Sequence, residues 1–456
     1  MFKQIELLKL QGVLEHPKRE GPSFISRVFL VIKRNGDFRP IFDLRDLNAH
    51  VQIKKFQLIS HHHIPEFLQG YDFMTRIDIS QGYVHVLIAE SHRQFVLLVY
   101  NEELLQMTSL PCSLSSAPHT FAMISNWVAE IFRLRGMRVI VYLDDFLLAC
   151  QSHSRLVSQT QGTVDLLTHL GWIVNLDKCS LSSNQRTDFL GFTWDTQLNQ
   201  VSLPEKGISQ IETIISSLRL SRKASLKQTQ CLLDSLNFAN FAVHRGRLHC
   251  RHTQRFLTEF RQKRQRKTLQ IPRSVDSELG WCLSAMKSSS DLHKRKIMDS
   301  LTTDGVGTGW GAQLNSTLIS GDWSEYQKRW HSNRKEMFAV YAVIKQESES
   351  LRGSHILQQT ESRTLSTYVR KEGRMKSLDL LNLTYKLSER IDDLQIEISD
   401  TYLLFSESSI AEGISPGVAV AATGNEQGVE EVGSSRCRSV RFKLIRHRTP
   451  VGFHGV

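Results

Sequence analysis

The sequence predicts a mixed α/β protein, α+β in its layering, and three features of the chain predict it. Between residues 1 and 200, short apolar runs bounded by Gly, Asn and Asp alternate with stretches of helical periodicity. From 201 to 296 the pattern turns helical and basic, and from 297 to 415 strands and helices mix again. A chain of 456 residues exceeds one ordinary core, so these shifts mark the expected boundaries. They give units at 1–200, 201–296 and 297–415, followed by a Gly- and Ser-rich tail at 416–456 without periodicity, expected to be unstructured.

The elements follow in order. MFKQIELLKLQGVLEH predicts an amphipathic helix with Ile5, Leu8 and Val13 among its apolar positions. VFLVIK and FRPIFDL predict a β-hairpin turning at Asn35-Gly36. Residues 73–100 predict a strand, a short helix or turn, and a second strand. Phe121, Ile124, Val128, Ile131 and Phe132 fall at helical spacing over 115–135. RVIVYLDDFLLA predicts two apolar strands with an Asp-Asp pair at the bend. A helix ending near Gly171 comes next, then WIVNLDKCSL and a strand pair around FLGFTWD.

The formal net charge of +11 favours a polyanionic partner, either nucleic acid or an anionic surface. No apolar run reaches the roughly 18–20 residues that span a bilayer, and the N-terminus lacks the apolar core of a signal peptide. An intracellular protein without a membrane partner is expected. The seven cysteines are dispersed with no CxxC pair, which fits free thiols better than a disulfide framework. His249, Cys250 and His252 lack a second ligand cluster, and His61–His63 have nothing nearby to complete a metal site.

The Asp-Asp pair is the most informative feature. Unpaired carboxylates between two buried strands would cost several kcal/mol. A divalent cation resolves the conflict, because Mg²⁺ takes hard oxygen ligands. An acidic, solvent-exposed bend would resolve it too. Asp78 in RIDISQGYVHV is a second carboxylate of the right kind, closing an apolar strand before a turn. Two metals about 4 Å apart need carboxylates converging from different strands, although a turn or helix-cap Asp fits that position as well.

VIKRNGDFRPIFDLRDLN, RIDISQGYVHV, LPCSLSSAPHTF, YLDD, LGWIVNLDKCSL and FLGFTWD stand in one order along residues 1–200. In that order they resemble the fingers and palm of retroelement reverse transcriptases, nearest to tyrosine-recombinase (DIRS-like) retrotransposons and then to long terminal repeat elements. The resemblance implies a right-hand polymerase with an antiparallel palm sheet, copying an RNA or DNA template from a primer with deoxynucleoside triphosphates. It implies Asp78, Asp144, Asp145 and the backbone carbonyl of Ile79 as ligands of two Mg²⁺ or Mn²⁺ ions. Tyr83 takes the place of the aromatic that excludes a 2′-hydroxyl. Lys33 and Arg39 match fingers residues that grip the triphosphate, and Lys178 a lysine that protonates pyrophosphate. Ser113 stands where the family has Gly, and Gly82 where it has Ala, which is expected to loosen that turn.

Residues 297–415 resemble the RNase H-like domain that follows such polymerases. TTDGVGTGWGA carries Asp304 and HSNRKEMFAV carries Glu336. Glu361 and Glu412 stand where the family has Asp, each on an arm one methylene longer, so weakened cleavage is expected from a metal that demands near-octahedral geometry. Residues 244–267 hold nine Arg or Lys and one Glu, and fit a thumb or connection tracking the phosphates of a template–primer duplex. A rival reading is a decayed retroelement product that binds nucleic acid without copying it. Ser113, Glu361, Glu412 and the tail favour that rival; Asp78, Asp144, Asp145 and Tyr83 oppose it.

Overall fold

The computed structural model describes residues 2–17, 23–32, 38–262, 267–305 and 308–402. Lys33, the Asn35-Gly36 turn, Glu412 and all of 416–456 lie outside the described residues, as does the side chain of Arg39.

The first unit is a five-stranded sheet in the order Leu14–Glu15, Glu103–Met107, Leu97–Tyr100, Ile25–Ile32, Phe38–Asp43. Ile25–Ile32 runs antiparallel to Phe38–Asp43, as the hairpin reading requires. The N-terminal helix is shorter than its apolar spacing predicts and spans Phe2–Leu10. Gly12 takes φ +70°, a conformation that breaks a helix at little cost only for glycine. Val13 is therefore buried from the connecting turn, and Leu14 pairs with Met107. Ile5, Val13, Leu14, Phe42, Leu98 and Leu105 form the core of this unit.

The next sheet positions the site. Its order is Arg138–Tyr142, Asp145–Cys150, Phe73–Asp78, Ser180–Asn184, all antiparallel. Side chains alternate between faces with period two. One face buries Ile77, Phe146 and Leu148 against Val128 and Phe132 of helix Ala117–Leu134 and Leu156 and Leu167 of helix His153–His169. The other face carries Met74, Leu147 and Ala149 into a second core with Phe189, Phe192 and Trp194. Both faces are thus covered along most of the strand length. Cover on the second face stops short of the strand ends where the Asp residues stand.

The FLGFTWD strands, Arg186–Phe189 and Phe192–Asp195, head a four-stranded sheet completed by Gln200–Ser202 and Ser289–Asp291. Helices Glu205–Ser221, Leu226–Ala239, Arg251–Gln262 and Arg273–Ala285 pack on this side. His61–His63 form a 3-10 turn capped by Ser60, and the His61 ring lies 5.0 Å from Phe192 and 4.6 Å from Phe241. Burial there pulls the His61 pKa down to about 4, so this histidine belongs to an aromatic cluster. His249 stacks on Trp281 at 3.6 Å, and the buried Cys250 thiol donates to the Gly246 carbonyl at 3.1 Å.

The last unit is a five-stranded sheet in the order Thr317–Asp322, Gly309–Leu314, Asp299–Gly305, His355–Thr360, Glu397–Tyr402. The first three strands are antiparallel and the last two join in parallel. Helices Ser332–Gln346 and Leu378–Asp393 bury Val340, Val343, Leu383 and Leu387 in its core with Leu301 and Ile356.

Two cations of the basic run hold this unit to the helical one, which narrows the expectation that the run serves a nucleic-acid backbone. Arg245 donates to Asp392 at 2.8 Å. Arg251 donates to the carbonyl of Glu372 at 3.2 Å and to that of Lys371. Arg247 and Arg255 remain exposed.

Candidate active site

Three carboxylates meet at one end of the second sheet. Asp78 is the last residue of Phe73–Asp78, and its ladder partner is Asp145, the first residue of Asp145–Cys150. Tyr142 also pairs with Asp145, leaving Leu143 and Asp144 as a two-residue turn. Such turns require φ above zero at their first position, and Leu143 takes φ +54°. A non-glycine residue held there costs on the order of 1 kcal/mol. The turn is fixed from behind, because Ile79 N–H donates to the Asp144 carbonyl at 2.8 Å.

Asp78 is held from a third side. Asn175 N–H donates to its carbonyl at 2.8 Å, and its own N–H donates to the Cys179 thiol at 3.2 Å. Asp78 is buried, yet its Oδ1 accepts no hydrogen bond; Lys178 Nζ lies 3.7 Å from it at the surface. Burial pushes the Asp145 carboxyl up to about 6, against the pull of Arg76 and with the push of Asp78 and Asp144. Burial also raises Asp144, and Asp78 adds to it. A buried acceptor oxygen with no hydrogen bond, inside a cluster of like charges, fits a divalent cation. As placed, the Asp145 Oδ1 is committed to Arg76 Nε at 2.7 Å. Among the described residues, no three His, Cys, Asp or Glu side chains form a ready metal cage.

Tyr83 stands in the 3-10 turn Gly82–His85, half-buried, its ring 5.1 Å from that of Phe121. Burial and the Asp144 charge both raise its hydroxyl pKa. Gly82 does not loosen this turn. A Cβ on it would sit 2.5 Å from Phe121 Cζ and 3.3 Å from Asp144 Cβ, so the position is glycine because Phe121 fills the space a side chain needs. Ser113 is likewise no anomaly of backbone, since its φ lies outside the left-handed region. Its carbonyl accepts from Asn48 Nδ2 at 2.9 Å while Ser115 N–H donates to Asn48 Oδ1 at 2.8 Å.

The last unit gathers a second acidic group. The parallel ladder ends at Thr302 and Gln359, two residues before Asp304 and Glu361, and the charges of both bear on Glu336. Helix Ser332–Gln346 crosses close by: a Cβ on Gly305 would lie 3.5 Å from the Glu336 nitrogen. Glu361 Oε1 is buried without a hydrogen bond. Burial, then Asp304 and Glu361, push the Glu336 carboxyl up to about 7.

Sequence reasoning missed four residues that shape the first site: Arg76, Asn48, Phe121 as a wall, and Cys179. Only Arg76 left a signal, being two residues before Asp78 and so on the same strand face.

Residues 31–194 match the family described as reverse transcriptase (RNA-dependent DNA polymerase). The match takes in Asp78, Asp144 and Asp145 and covers 164 of the 456 residues. The chain is 20% identical over 420 residues to an enzymatic polyprotein of Cassava vein mosaic virus, covering 87% of this chain and 62% of that one. It is 22% identical over 212 residues to the transposon Tf2-3 polyprotein of Schizosaccharomyces pombe, covering 46% of this chain and 15% of that one. It therefore spans less than two thirds of the length of either relative. The foamy viral protease-reverse transcriptase in complex with double-stranded DNA shares the fold, with a TM-score of 0.57 at 18% identity over 88% of this chain and 69% of that one. The same viral protein with an RNA/DNA hybrid gives 0.54 at 16% identity, over 96% and 55%. Among the described residues no helix is long and apolar enough to cross a membrane.

Two outcomes are expected of this geometry. Gly82→Ala forces Phe121 to move and should destabilise the protein by about 1–3 kcal/mol, the usual range for overpacking. Phe121→Leu in the same chain should recover most of the loss in a thermal melt. Glu336 has a folded pKa raised from 4.5 to about 7. Its contribution to stability is therefore complete below pH 4.5 and lost as pH rises through 7. Glu336→Gln should accordingly raise the melting temperature at pH 8 in metal-free buffer and leave it unchanged at pH 4.

Proposed function

We propose that this chain is the reverse transcriptase of a retrotransposon: an RNA-directed DNA polymerase that extends a primer on an RNA or DNA template with deoxynucleoside triphosphates. The observation that carries it is the meeting of Asp78, Asp144 and Asp145 on paired strands, inside the segment that matches the reverse-transcriptase family. The orphaned Asp78 Oδ1 supports a cation there. Two Mg²⁺ or Mn²⁺ ions held by these carboxylates and the Ile79 carbonyl would activate the primer 3′-hydroxyl and neutralise charge on the triphosphate.

The chain's own residues do the rest. Tyr83, braced by Phe121, presents a ring beside Asp144 where a sugar 2′-hydroxyl would collide. Lys178, whose Nζ lies 3.7 Å from Asp78 Oδ1, would deliver a proton to leaving pyrophosphate. Lys33 and Arg39 would bind the triphosphate, for which a guanidinium fork is well shaped. Asn48 fixes the Ser113 loop against which the incoming nucleotide would lie. Exposed Arg247 and Arg255 would meet duplex phosphates, a salt-sensitive contact. In the last unit Asp304, Glu336 and Glu361 would form a weakened RNase H-like centre, with Glu412 as the fourth candidate. Gly82 fits its place against Phe121, and the Ser113 carbonyl is tied to Asn48.

Primer extension on a defined template tests the proposal. Asp144→Asn should abolish extension and leave duplex binding nearly unchanged; extension at more than a few per cent of the wild-type rate would overturn the assignment. Tyr83→Ala should raise ribonucleotide incorporation relative to deoxynucleotide. An unchanged ratio would make Tyr83 a packing residue only.

A further inference from the structure

Arg76 lies two residues before Asp78 on the same face of the strand, between the apolar cover of Met74 and Leu147 and the acidic end of the sheet. Its Nε donates to Asp145 Oδ1 at 2.7 Å, and its Nη1 reaches the Asp188 carbonyl at 3.5 Å. Both members of the ion pair are mostly withdrawn from water, at 26% and 15% side-chain exposure. An arginine stays charged at any working pH, so it leaves a carboxylate by moving and not by losing a proton. While it holds Asp145, one lone pair of that oxygen is taken by the guanidinium and the arginine's positive charge stands beside the cluster.

We propose that Arg76 is an internal counter-cation that competes with the divalent metal for Asp145, and so sets how tightly the metal-free-to-metal-bound transition at this site is drawn. The inference rests on reading the three carboxylates as a metal site. Three carboxylates at the end of an apolar sheet would repel one another. Arg76 relieves that repulsion in the absence of metal, and the same contact opposes metal entry. A residue that merely orients Asp145 would act oppositely: its removal would loosen the ligand set and weaken binding.

The test is Mn²⁺ binding to the full chain without nucleic acid, read from the electron paramagnetic resonance signal of free Mn²⁺. Arg76→Met should tighten Mn²⁺ binding on the order of tenfold, as expected when one opposing charge leaves a part-buried contact. In the Asp145→Asn background, Arg76→Met should give no gain, because the competition runs through that carboxylate. Unchanged or weaker Mn²⁺ binding by Arg76→Met, with Asp145→Asn weakening the wild type, would overturn the proposal and leave the metal site standing. If Asp78→Asn and Asp145→Asn both leave Mn²⁺ binding untouched, the metal-site reading itself falls. Should Arg76→Met fail to fold by circular dichroism, Arg76→Lys decides: its shorter arm withdraws from Asp145, so tighter binding supports the proposal and equal or weaker binding overturns it.

Discussion

Two carboxylates directly opposite each other on a hydrogen-bonded ladder are an arrangement a sheet ordinarily avoids. Here the Asp78–Asp145 pair is enforced by everything around it. The strands behind it are apolar on both faces and cannot slip register without turning a core outward. The Leu143–Asp144 turn is tied to Ile79, and Asp78 is tied to Asn175 and Cys179. None of these bonds touches the side-chain oxygens. Backbone and thiol contacts fix the strand ends, and the carboxylates are left for other partners.

The neighbouring units serve this arrangement by where they stop. Helices cover one face of the sheet along most of its length, while the Phe189, Phe192 and Trp194 layer covers the other only up to Arg76. The progression Met74, Arg76, Asp78 along one face passes from dry core to ion pair to acidic cluster within five residues of strand. A cation of the protein's own therefore sits where hydrocarbon gives way to charge. Phe121 and Gly82 close the opposite side by mutual fit.

Much of this was legible in the sequence, and the reasons differ residue by residue. Strands such as Arg138–Tyr142 and helix Ala117–Leu134 announce themselves by period, because each buries one regular set of positions. The N-terminal helix misled, since apolar Val13 keeps helical spacing although Gly12 has already ended the helix. Gly82 misled in a different way: a glycine in sequence looks like freedom, and only the position of Phe121, far along the chain, shows it to be a tight fit. Asn48 and Cys179 act through a few long-range hydrogen bonds, which leave no periodic trace. The basic run shows the limit of composition, because Arg245 and Arg251 read like their exposed neighbours yet are spent inside the protein.

Those two arginines have a consequence for how such a chain can change over generations. Arg251 gives its donors to backbone carbonyls at Lys371 and Glu372, and Tyr385 of the last unit donates to the Leu248 carbonyl at 3.1 Å. A gene that shed the C-terminal unit would leave a part-buried guanidinium and a run of turn backbone to find new company in water. Substitutions at Glu361 or Glu336 touch none of these bolts. A change in that acidic group would leave the joint between the two units whole, so the unit can buttress its neighbour whatever its carboxylates do.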